Sequence, residues 1–318
     1  MRLPVCACTV LGSIAIFTTS AFADLFHFST GDPDGKMATA SRPDAGGKIE
    51  IESADDFVLT QTTIINSATF TGLIVPPATG GSPTIGEVVT EIYRVFPLDS
   101  AFPPDGAVPS RTNSPSDNAF DTRNTVVPNL SFTTTTLAAT FTANNSVLNG
   151  INKSLTPQTE GEGPVTGQEV RFNLSFTSPF ELPAGHYFFV PQVQITNGEF
   201  FWLSAPKPIV PPGTQFPPGF TDLQEWIRNA NLDPDWLRVG TDIVGGNPAP
   251  TFNAAFTLSG EIAVPEPSGL ALFSLGGLSI ASVLFVRARR ETHYSLPEEP
   301  RGRLRDSRRR PPSTPVSL

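Results

Sequence analysis

The sequence predicts an all-β protein: a two-layer antiparallel β-sandwich, jelly-roll-like, with long Pro-rich loops, followed by one C-terminal transmembrane helix. Three observations predict this. Apolar and polar residues alternate over many short segments, the 33 Pro and 26 Gly fall between these segments, and an uncharged stretch near the C-terminus is long enough to cross a bilayer. Because alternation with a period of two places apolar side chains on one face of a strand, each sheet should bury one face.

The first 23 residues are typical of a secretory signal peptide. Arg2 supplies a positive charge, residues 5–17 form an apolar core, and Ala21 and Ala23 provide the small residues of a cleavage site. This core is too short to span a bilayer, which needs about 20 residues. We therefore expect signal peptidase to cleave after Ala23, and the mature chain to begin at Asp24.

The body of the chain, residues 24–263, is predicted to be one exported β-sandwich domain. The two cysteines, Cys6 and Cys8, lie in the signal peptide, so the body has no thiol for a disulfide or for nucleophilic catalysis. The body carries 11 Lys and Arg against 25 Asp and Glu, a net charge of −14. An acidic surface argues against binding nucleic acid, because phosphate contacts need Lys and Arg.

The strongest strand signals lie between residues 168 and 204. In this segment Val170, Phe172, Leu174 and Phe176 alternate with polar residues, Leu182–Gly185 suits a type I turn, and the Asn-Gly pair at 197–198 is typical of a hairpin. The segment should form a three-stranded antiparallel meander. Further strands are predicted at residues 25–29, 48–53, 57–75 (two strands), 88–96, 130–144 and 252–259.

Prolines and one helical pattern describe the rest of the body. Residues 97–118 and 205–220 are rich in Pro, which lacks the amide donor that sheet pairing requires. They should be loops. In residues 221–230, Thr221 or Asp222 can cap a helix whose Leu223, Trp226 and Ile227 share one face, so a short helix is predicted there.

The C-terminal region has the pattern of a single transmembrane helix. Residues 269–286 contain no charge, and 18 residues of helix extend about 27 Å, close to the hydrocarbon thickness of a bilayer. Arg287, Arg289 and Arg290 follow directly, and the positive-inside rule places such a cluster in the cytoplasm. The body would then lie outside the inner membrane.

Residues 264–290 resemble the PEP-CTERM sorting signal of Gram-negative bacteria. The likeness rests on Pro265-Glu266-Pro267, the apolar helix and the Arg cluster in that order. It implies recognition by an exosortase, a membrane protease or transpeptidase that cuts near the motif and passes the protein outward, often in bacteria that make exopolysaccharide. Segments of the body such as "SADDFVL" and "LPAGHYFF" resemble uncharacterised secreted β-sandwich proteins that carry this anchor, a likeness that implies no activity.

The chain departs from this family after the Arg cluster. Members usually end within a few residues, whereas this chain continues through an Arg-rich segment, residues 291–318. We expect that segment to be a disordered cytoplasmic tail. It either binds anionic lipid or nucleic acid through its arginines, or is an extension of the reading frame with no selected role.

The sequence names no catalytic residue. It contains no G-x-S-x-G or H-E-x-x-H motif, and only His27 and His186 could serve exported chemistry. A hydrolase using paired carboxylates stays open, because the fold sets the spacing of acids. No cofactor is expected other than a structural calcium ion, for which Asp32, Asp34, Asp55 and Asp56 are candidates and solvated turn acids are the alternative.

Tryptophan offers the other candidate site. Trp202 and Trp236, with Trp226, could give flat faces to a sugar, and core packing is the alternative reading of each. The resulting expectation is an exported, exosortase-sorted envelope or matrix protein with a structural or adhesive role and no catalysis. A carbohydrate-binding module and a secreted hydrolase are the alternatives.

Overall fold

The structure, a computed structural model, describes residues 23–100, 108–152 and 158–263. Strands of two sheets make up most of these residues, with one π-helical turn at Val239–Val244, so the predicted all-β fold is confirmed. The strands are β1 (Leu25–Ser29), β2 (Met37–Ala40), β3 (Ile51–Leu59), β4 (Thr63–Val75), β5 (Thr84–Arg94), β6 (Asp121–Asn124), β7 (Leu130–Ala143), β8 (Asn145–Val147), β9 (Val165–Leu182), β10 (Gly185–Thr196), β11 (Glu199–Ala205), β12 (Trp226–Asn229), β13 (Leu237–Arg238), β14 (Asn253–Ala254) and β15 (Phe256–Ile262).

Residues 1–22 and 264–318 lie outside the described part of the chain, and with them the predicted C-terminal helix, the Pro265-Glu266-Pro267 motif and the tail. Of the predicted cleavage residues, Ala21 is outside and Ala23 is the first residue described. Among the described residues, no helix has the length and apolar character needed to cross a membrane.

The larger sheet has nine strands among the described residues and is organised around β4. One edge of β4 pairs with β9, which in turn pairs with β7. The other edge of β4 pairs with β15 over its first half and with β11 over its last residues. Beyond these strands, β1 lies next to β15. On the other side β2 lies next to β11, and β8 lies next to β2. Every pair is antiparallel except β2 with β8.

The smaller sheet contains six described strands in the order β13-β12-β3-β10-β5-β6, all antiparallel. Its inner face packs on the larger sheet through an aromatic core. In this core Phe189 of β10 stacks on Phe256 of β15 at 5.2 Å between ring centroids, and Trp202 of β11 contacts both rings. The two sheets therefore bury their apolar faces against each other in a sandwich-like arrangement.

The alternation in β9 is confirmed residue by residue. Val170, Phe172, Leu174 and Phe176 are all buried in the core, and Phe172 stacks on Phe70 at 4.8 Å. Arg171 and Ser175, on the opposite face, are exposed. Period-two patterning thus identified both the strand and the face that it buries.

The predicted meander is wrong in its pairing, although its three strands exist. β9 and β11 belong to the nine-stranded sheet and β10 to the six-stranded sheet, so neither connection is a hairpin. Instead, each connection carries the chain from one sheet to the other. Asn197, with φ of 55°, and Gly198, with φ of 159°, form the second crossing, where a Cβ on Gly198 would lie 2.6 Å from the carbonyl oxygen of Val75. An Asn-Gly turn fixes a tight reversal, but not the sheet to which the next strand belongs.

The predicted helix at 221–230 is also wrong. Trp226–Asn229 form β12, which pairs with β3 and β13. The two apolar residues point to opposite sides, since Trp226 packs with Tyr93 and Trp236 while Ile227 packs in a separate cluster with Leu237 and Ile243. All four β12 residues are buried. Because this strand is buried on both faces, its apolar residues do not alternate, and their spacing also fits a helix.

The remaining strand predictions are confirmed with shifted ends. Residues 57–75 contain the end of β3 and all of β4, and the predicted strand at 48–53 begins three residues later, at Ile51. In the described parts of the two segments predicted as loops, residues 97–100, 108–118 and 205–220, no strand occurs except for Ala205, the last residue of β11. The first segment lies over the six-stranded sheet, and the second also bonds to β1, where the Thr214 amide donates to the Ser29 carbonyl at 2.7 Å.

Candidate functional site

The outer face of the six-stranded sheet carries buried charges beside a small apolar cluster that includes Phe188, Val190 and Trp226. We call Glu52, Glu91, Tyr93, Arg228 and Trp236 the Arg228 cluster. Glu52 lies on β3, Glu91 and Tyr93 on β5, and Arg228 on β12, so the sheet itself sets their positions. Residues 108–118 cover them, with the Ser116 carbonyl accepting a hydrogen bond from Trp236 Nε1 at 3.2 Å and the Asp117 carbonyl accepting one from Arg228 Nη1 at 3.1 Å.

Arg228 is the centre of this cluster. Its side chain is 7% exposed and pairs with the Glu52 carboxylate through Nε, while Nη1 lies 2.8 Å from Asp233 Oδ1. The guanidinium group also lies 4.3 Å from the ring centroid of Trp236 and 5.3 Å from that of Tyr93. Aromatic faces stabilise a cation electrostatically. The guanidinium group is therefore held by carboxylates at its nitrogen atoms and by the two aromatic rings that it lies over.

Tyr93 joins two carboxyl groups. Its hydroxyl donates to Glu52 Oε1 at 2.6 Å, lies 3.1 Å from Glu91 Oε2, and accepts a hydrogen bond from Arg228 Nη2 at 2.9 Å. Burial, with the adjacent charge of Glu52, raises the pKa of Glu91 to about 8. The Glu91 carboxyl group therefore keeps its proton at neutral pH, beside the Glu52 carboxyl group that pairs with Arg228. Two neighbouring carboxyl groups in different environments are the arrangement that acid–base chemistry uses.

A second buried pair joins β3 to β10. His186 Nε2 lies 2.5 Å from Asp56 Oδ2, and the same oxygen accepts the Leu223 amide at 3.2 Å. Burial raises the pKa of Asp56 to about 6 in spite of the bond to His186. The imidazole contacts the rings of Phe216 and Phe220 at about 6 Å between centroids, so the pair fixes the loop after residue 206 to the sheet.

Two more acids are buried on the inner side of the molecule. Asp55 Oδ2 accepts the Ala254 amide at 2.9 Å, and burial, with the charge of Asp56, raises the Asp55 pKa well above its usual range. Glu225 Oε1 accepts a hydrogen bond from Thr39 Oγ1 at 2.5 Å, and burial raises its pKa to about 8. Asp55 connects β3 to β14, and Glu225, the residue before β12, bonds to β2, so each carboxyl group joins the two sheets and has a structural use.

A cavity lies elsewhere. It has a volume of 670 Å³, sits where β4, β5, β7 and β9 approach one another, and shares no lining residue with the Arg228 cluster. Its lining is aliphatic or uncharged and polar: Ile74, Pro76, Pro83, Thr84, Ile85, Ala139, Thr140, Thr166, Gly167 and Gln168. The ionisable chemistry and this cavity are therefore separate, and the cavity supplies no acid or base of its own.

The structure does not present the predicted sugar-binding residues to a ligand. Trp202 and Trp236 are 0% exposed and Trp226 is 2% exposed. Trp202 is held in the aromatic core, where its Nε1 donates to the Ala255 carbonyl at 2.9 Å, and Trp236 stacks on Arg228. A sugar needs an open ring face, so this prediction is corrected in favour of core packing.

The predicted calcium ligands are dispersed. Asp32 is exposed, whereas Asp34 bonds to Ser204 Oγ at 2.5 Å and to Lys36 Nζ at 3.0 Å. Asp55 and Asp56 are neither turn acids nor solvated, since they lie inside β3 with side chains on opposite faces. Across residues 23–100, 108–152 and 158–263, no three His, Cys, Asp or Glu side chains are grouped to hold a metal ion.

Sequence reasoning missed the Arg228 cluster. Glu52 lies in "EIES" and Glu91 in "TEIYR", where acids alternate with apolar residues in a pattern that predicts a wet strand face. Arg228 lies in the segment predicted as a helix. The signal that was available is the neighbouring tryptophans, because Trp226 and Trp236 on either side of an arginine indicate burial of that segment. His27, by contrast, is exposed and lies 3.3 Å from Ser259 Oγ, as expected for a surface residue.

Fold and site together define a sandwich-like all-β protein that buries a group of ionisable side chains inside the fold. No protein family, curated protein or solved structure matches the chain. Function is therefore argued from the sequence signals and from the geometry.

Proposed function

We propose that this is an exported, exosortase-sorted protein of the cell envelope or extracellular matrix, with a structural or adhesive role and no catalysis. Support comes first from the order of signals in the sequence: a signal peptide over residues 1–23, the Pro265-Glu266-Pro267 motif, an uncharged segment at 269–286 and the cluster of Arg287, Arg289 and Arg290. In this proposal the body is held in the periplasm by one helix, and processing then delivers it to the surface or the matrix.

The observation that best supports a structural role is the use of functional side chains inside the body. Trp202, Trp236, Arg111, Arg228 and the carboxyl groups of Glu52 and Asp56 are buried and bonded to other parts of the fold, and Trp226 is buried by packing against its neighbours. A jelly-roll-like body without cysteine, stabilised by packing and internal ion pairs, suits a protein that must persist outside the cell. The partners in this proposal are signal peptidase, an exosortase, the inner membrane and an exopolysaccharide layer, and not nucleic acid.

The sorting step is tested by the mass of the mature protein. We expect the wild type, recovered from producing cells, to lack residues 270–318, and Glu266→Ala to retain them because the acid of the motif is lost. Glu261→Ala, which removes an exposed acid five residues earlier in β15, is the matched control and should be processed normally. A wild-type protein that keeps residues 270–318 contradicts removal of the anchor.

A secreted hydrolase using paired carboxylates is the second candidate, and the Tyr93 bridge favours it. Glu91, whose pKa is raised to about 8, lies beside the Glu52 carboxyl group, and Tyr93 bridges the two. A carboxyl group with a raised pKa beside a second one has the composition of the acid and the nucleophile in a retaining glycosidase. If this is the activity, Glu91→Gln should lower turnover of a polysaccharide panel by about 10²-fold or more, and Glu87→Gln on the same strand should not. Absence of turnover by the wild type across the panel dismisses the hydrolase.

A further inference from the structure

Strand β7 is an edge strand unlike the others. The strands at the ends of the two sheets, β1, β6, β8 and β13, have five, four, three and two residues. β7 has 14 residues and pairs only with β9 among the described strands. Short edges limit pairing with other chains, and a long edge is a template for it, because its outer row of amides and carbonyls is unpaired.

The composition of β7 does not protect this edge. Its sequence, LSFTTTTLAATFTA, contains no charge, no Pro and no Gly, although the body around it has a net charge of −14. Natural edges are commonly blocked by Lys, Pro or a bulge. Irregular register begins only after Thr136, so Leu130–Thr136 pairs regularly with Phe176–Val170 of β9. Leu130–Thr136 is therefore a regularly paired, uncharged segment rich in threonine, a β-branched residue. This composition favours pairing between identical chains.

The same edge extends beyond the core. Thr134 pairs with Phe172 and Thr136 with Val170, and both of these β9 residues are buried. All four threonines from 133 to 136 are nevertheless exposed. Apolar exposure is also concentrated here. Of the eight large apolar side chains that are exposed in the described residues, Leu137 lies on β7, and Val126 and Val127 lie in the turn that leads into it. Both faces of β7 are thus open to a neighbour.

We propose that two copies of this chain associate through β7, pairing edge to edge and antiparallel so that the two nine-stranded sheets become continuous. A two-fold axis through Thr134 places Thr133 opposite Thr135 of the second copy. The core-facing sides of the two nine-stranded sheets then lie on the same side of the joined sheet. Threonine pairs stabilise such a ladder, and the absence of charge means that identical strands meet without repulsion. An isologous contact of this kind is the commonest form of homodimer. It goes beyond the proposed sorting and does not depend on it.

Charge placed at the axis tests the contact. The purified full chain, in mild detergent, should show a concentration-dependent mass twice that of one chain by sedimentation velocity. Thr134→Lys and Thr134→Glu should each remain at the mass of one chain, because like charges then face each other. An equimolar mixture of the two variants should regain the doubled mass, which loss of folding in either variant cannot produce.

Thr60→Lys is the matched control, since it adds the same charge at an exposed threonine in the turn between β3 and β4, and it should associate as the wild type does. Equal melting temperatures of the variants and the wild type would show that the fold is intact. A wild type that stays at the mass of one chain, Lys and Glu variants that still associate separately, or a mixture that does not recover the doubled mass would each overturn the proposal.

Discussion

The two interiors of this protein are built differently. In the core between the sheets most buried side chains are aromatic or aliphatic, as in the contacts of Phe172 with Phe70 and Phe200 at 4.8 and 5.5 Å between centroids, and burial raises the pKa of the two inner acids, Asp55 and Glu225. On the outer side of the six-stranded sheet, beneath residues 108–118, ion pairs around Arg228 lie beside aromatic rings and a small apolar cluster. The stability of the first interior depends on the apolar area that is buried and on the fit of the side chains. The stability of the second depends on each charge having its specific partner.

The difference teaches how a sheet can be buried on both faces in a chain that has no disulfide in its body. An apolar outer layer would leave a hydrophobic surface if the covering loops opened. A charged layer returns to water at lower cost, but while it is covered each charge must be matched, because an unpaired buried charge costs several kcal/mol. The loops over this layer are accordingly bonded to it by both backbone and side chains, including Arg111 Nη1 to the Pro234 carbonyl at 2.9 Å.

The largest expected effect breaks the charged interior. Arg228→Ala leaves the Glu52 carboxylate buried without its cation, and we expect a loss of about 3–5 kcal/mol in the free energy of unfolding, measured by urea denaturation. Arg171→Ala, at an exposed arginine of β9, should change it by about 0.5 kcal/mol or less. Adding Glu52→Gln to Arg228→Ala should recover part of the loss, since the uncompensated charge is removed. A loss at Arg228 no larger than that at Arg171 would show that the cluster does not need its cation.

In the aromatic interior, the loss in the free energy of unfolding should depend on the side-chain volume that a substitution removes, and not on the loss of a specific partner. Leu174 lies in the core and is 2% exposed, so Leu174→Met should cost less than about 1.5 kcal/mol, whereas Leu174→Ala should cost about 2–5 kcal/mol. The same denaturation series measures both. If Leu174→Met cost as much as Arg228→Ala, the two interiors would not differ in the way described.

Sequence reasoning reached the apolar interior and not the charged one. In β9 the alternation of Val170, Phe172 and Leu174 with polar residues is a local signal, and the strand and its buried face follow from it. Which sheet each strand joins is not local. The Asn197-Gly198 turn reverses the chain in a hairpin or in a crossing between sheets, and only the packing of β10 and β11 against different neighbours decides.

The charged site was out of reach for a related reason. Glu52, Tyr93 and Arg228 are separated by 41 and 135 residues along the chain, and a polar residue in an alternating strand is ordinarily solvated. Its burial depends on a covering loop whose position no local pattern reveals. Trp226 shows the same limit, because its spacing from Leu223 and Ile227 fits a helix until pairing with β3 forces a strand.

Glu225 sharpens the comparison, since it is a buried acid without a cation in contact. It lies 1% exposed, with Thr39 as the hydrogen-bond donor to Oε1, while Oε2 has no hydrogen-bond partner among the described residues. Burial, followed by the charge of Asp34, raises the pKa of Glu225 from 4.5 to about 8. Where Glu52 is stabilised as an anion by Arg228, Glu225 is stabilised by keeping its proton.

This difference predicts a pH dependence of stability. Between pH 4.5 and 8 the folded protein holds a proton on Glu225 that the unfolded chain has released, so the unfolding free energy falls as pH rises through this window, by about 1.4 kcal/mol for each unit of pKa shift. Glu225→Gln mimics the protonated acid and should be more stable than the wild type at pH 8, with the advantage disappearing toward pH 4.5. Glu181→Gln, at an exposed position of β9, should show no such trend. Melting temperatures at four pH values decide it, because an advantage of Glu225→Gln that does not grow with pH would mean that Glu225 is ionised in the fold and that burial without a cation does not hold its proton.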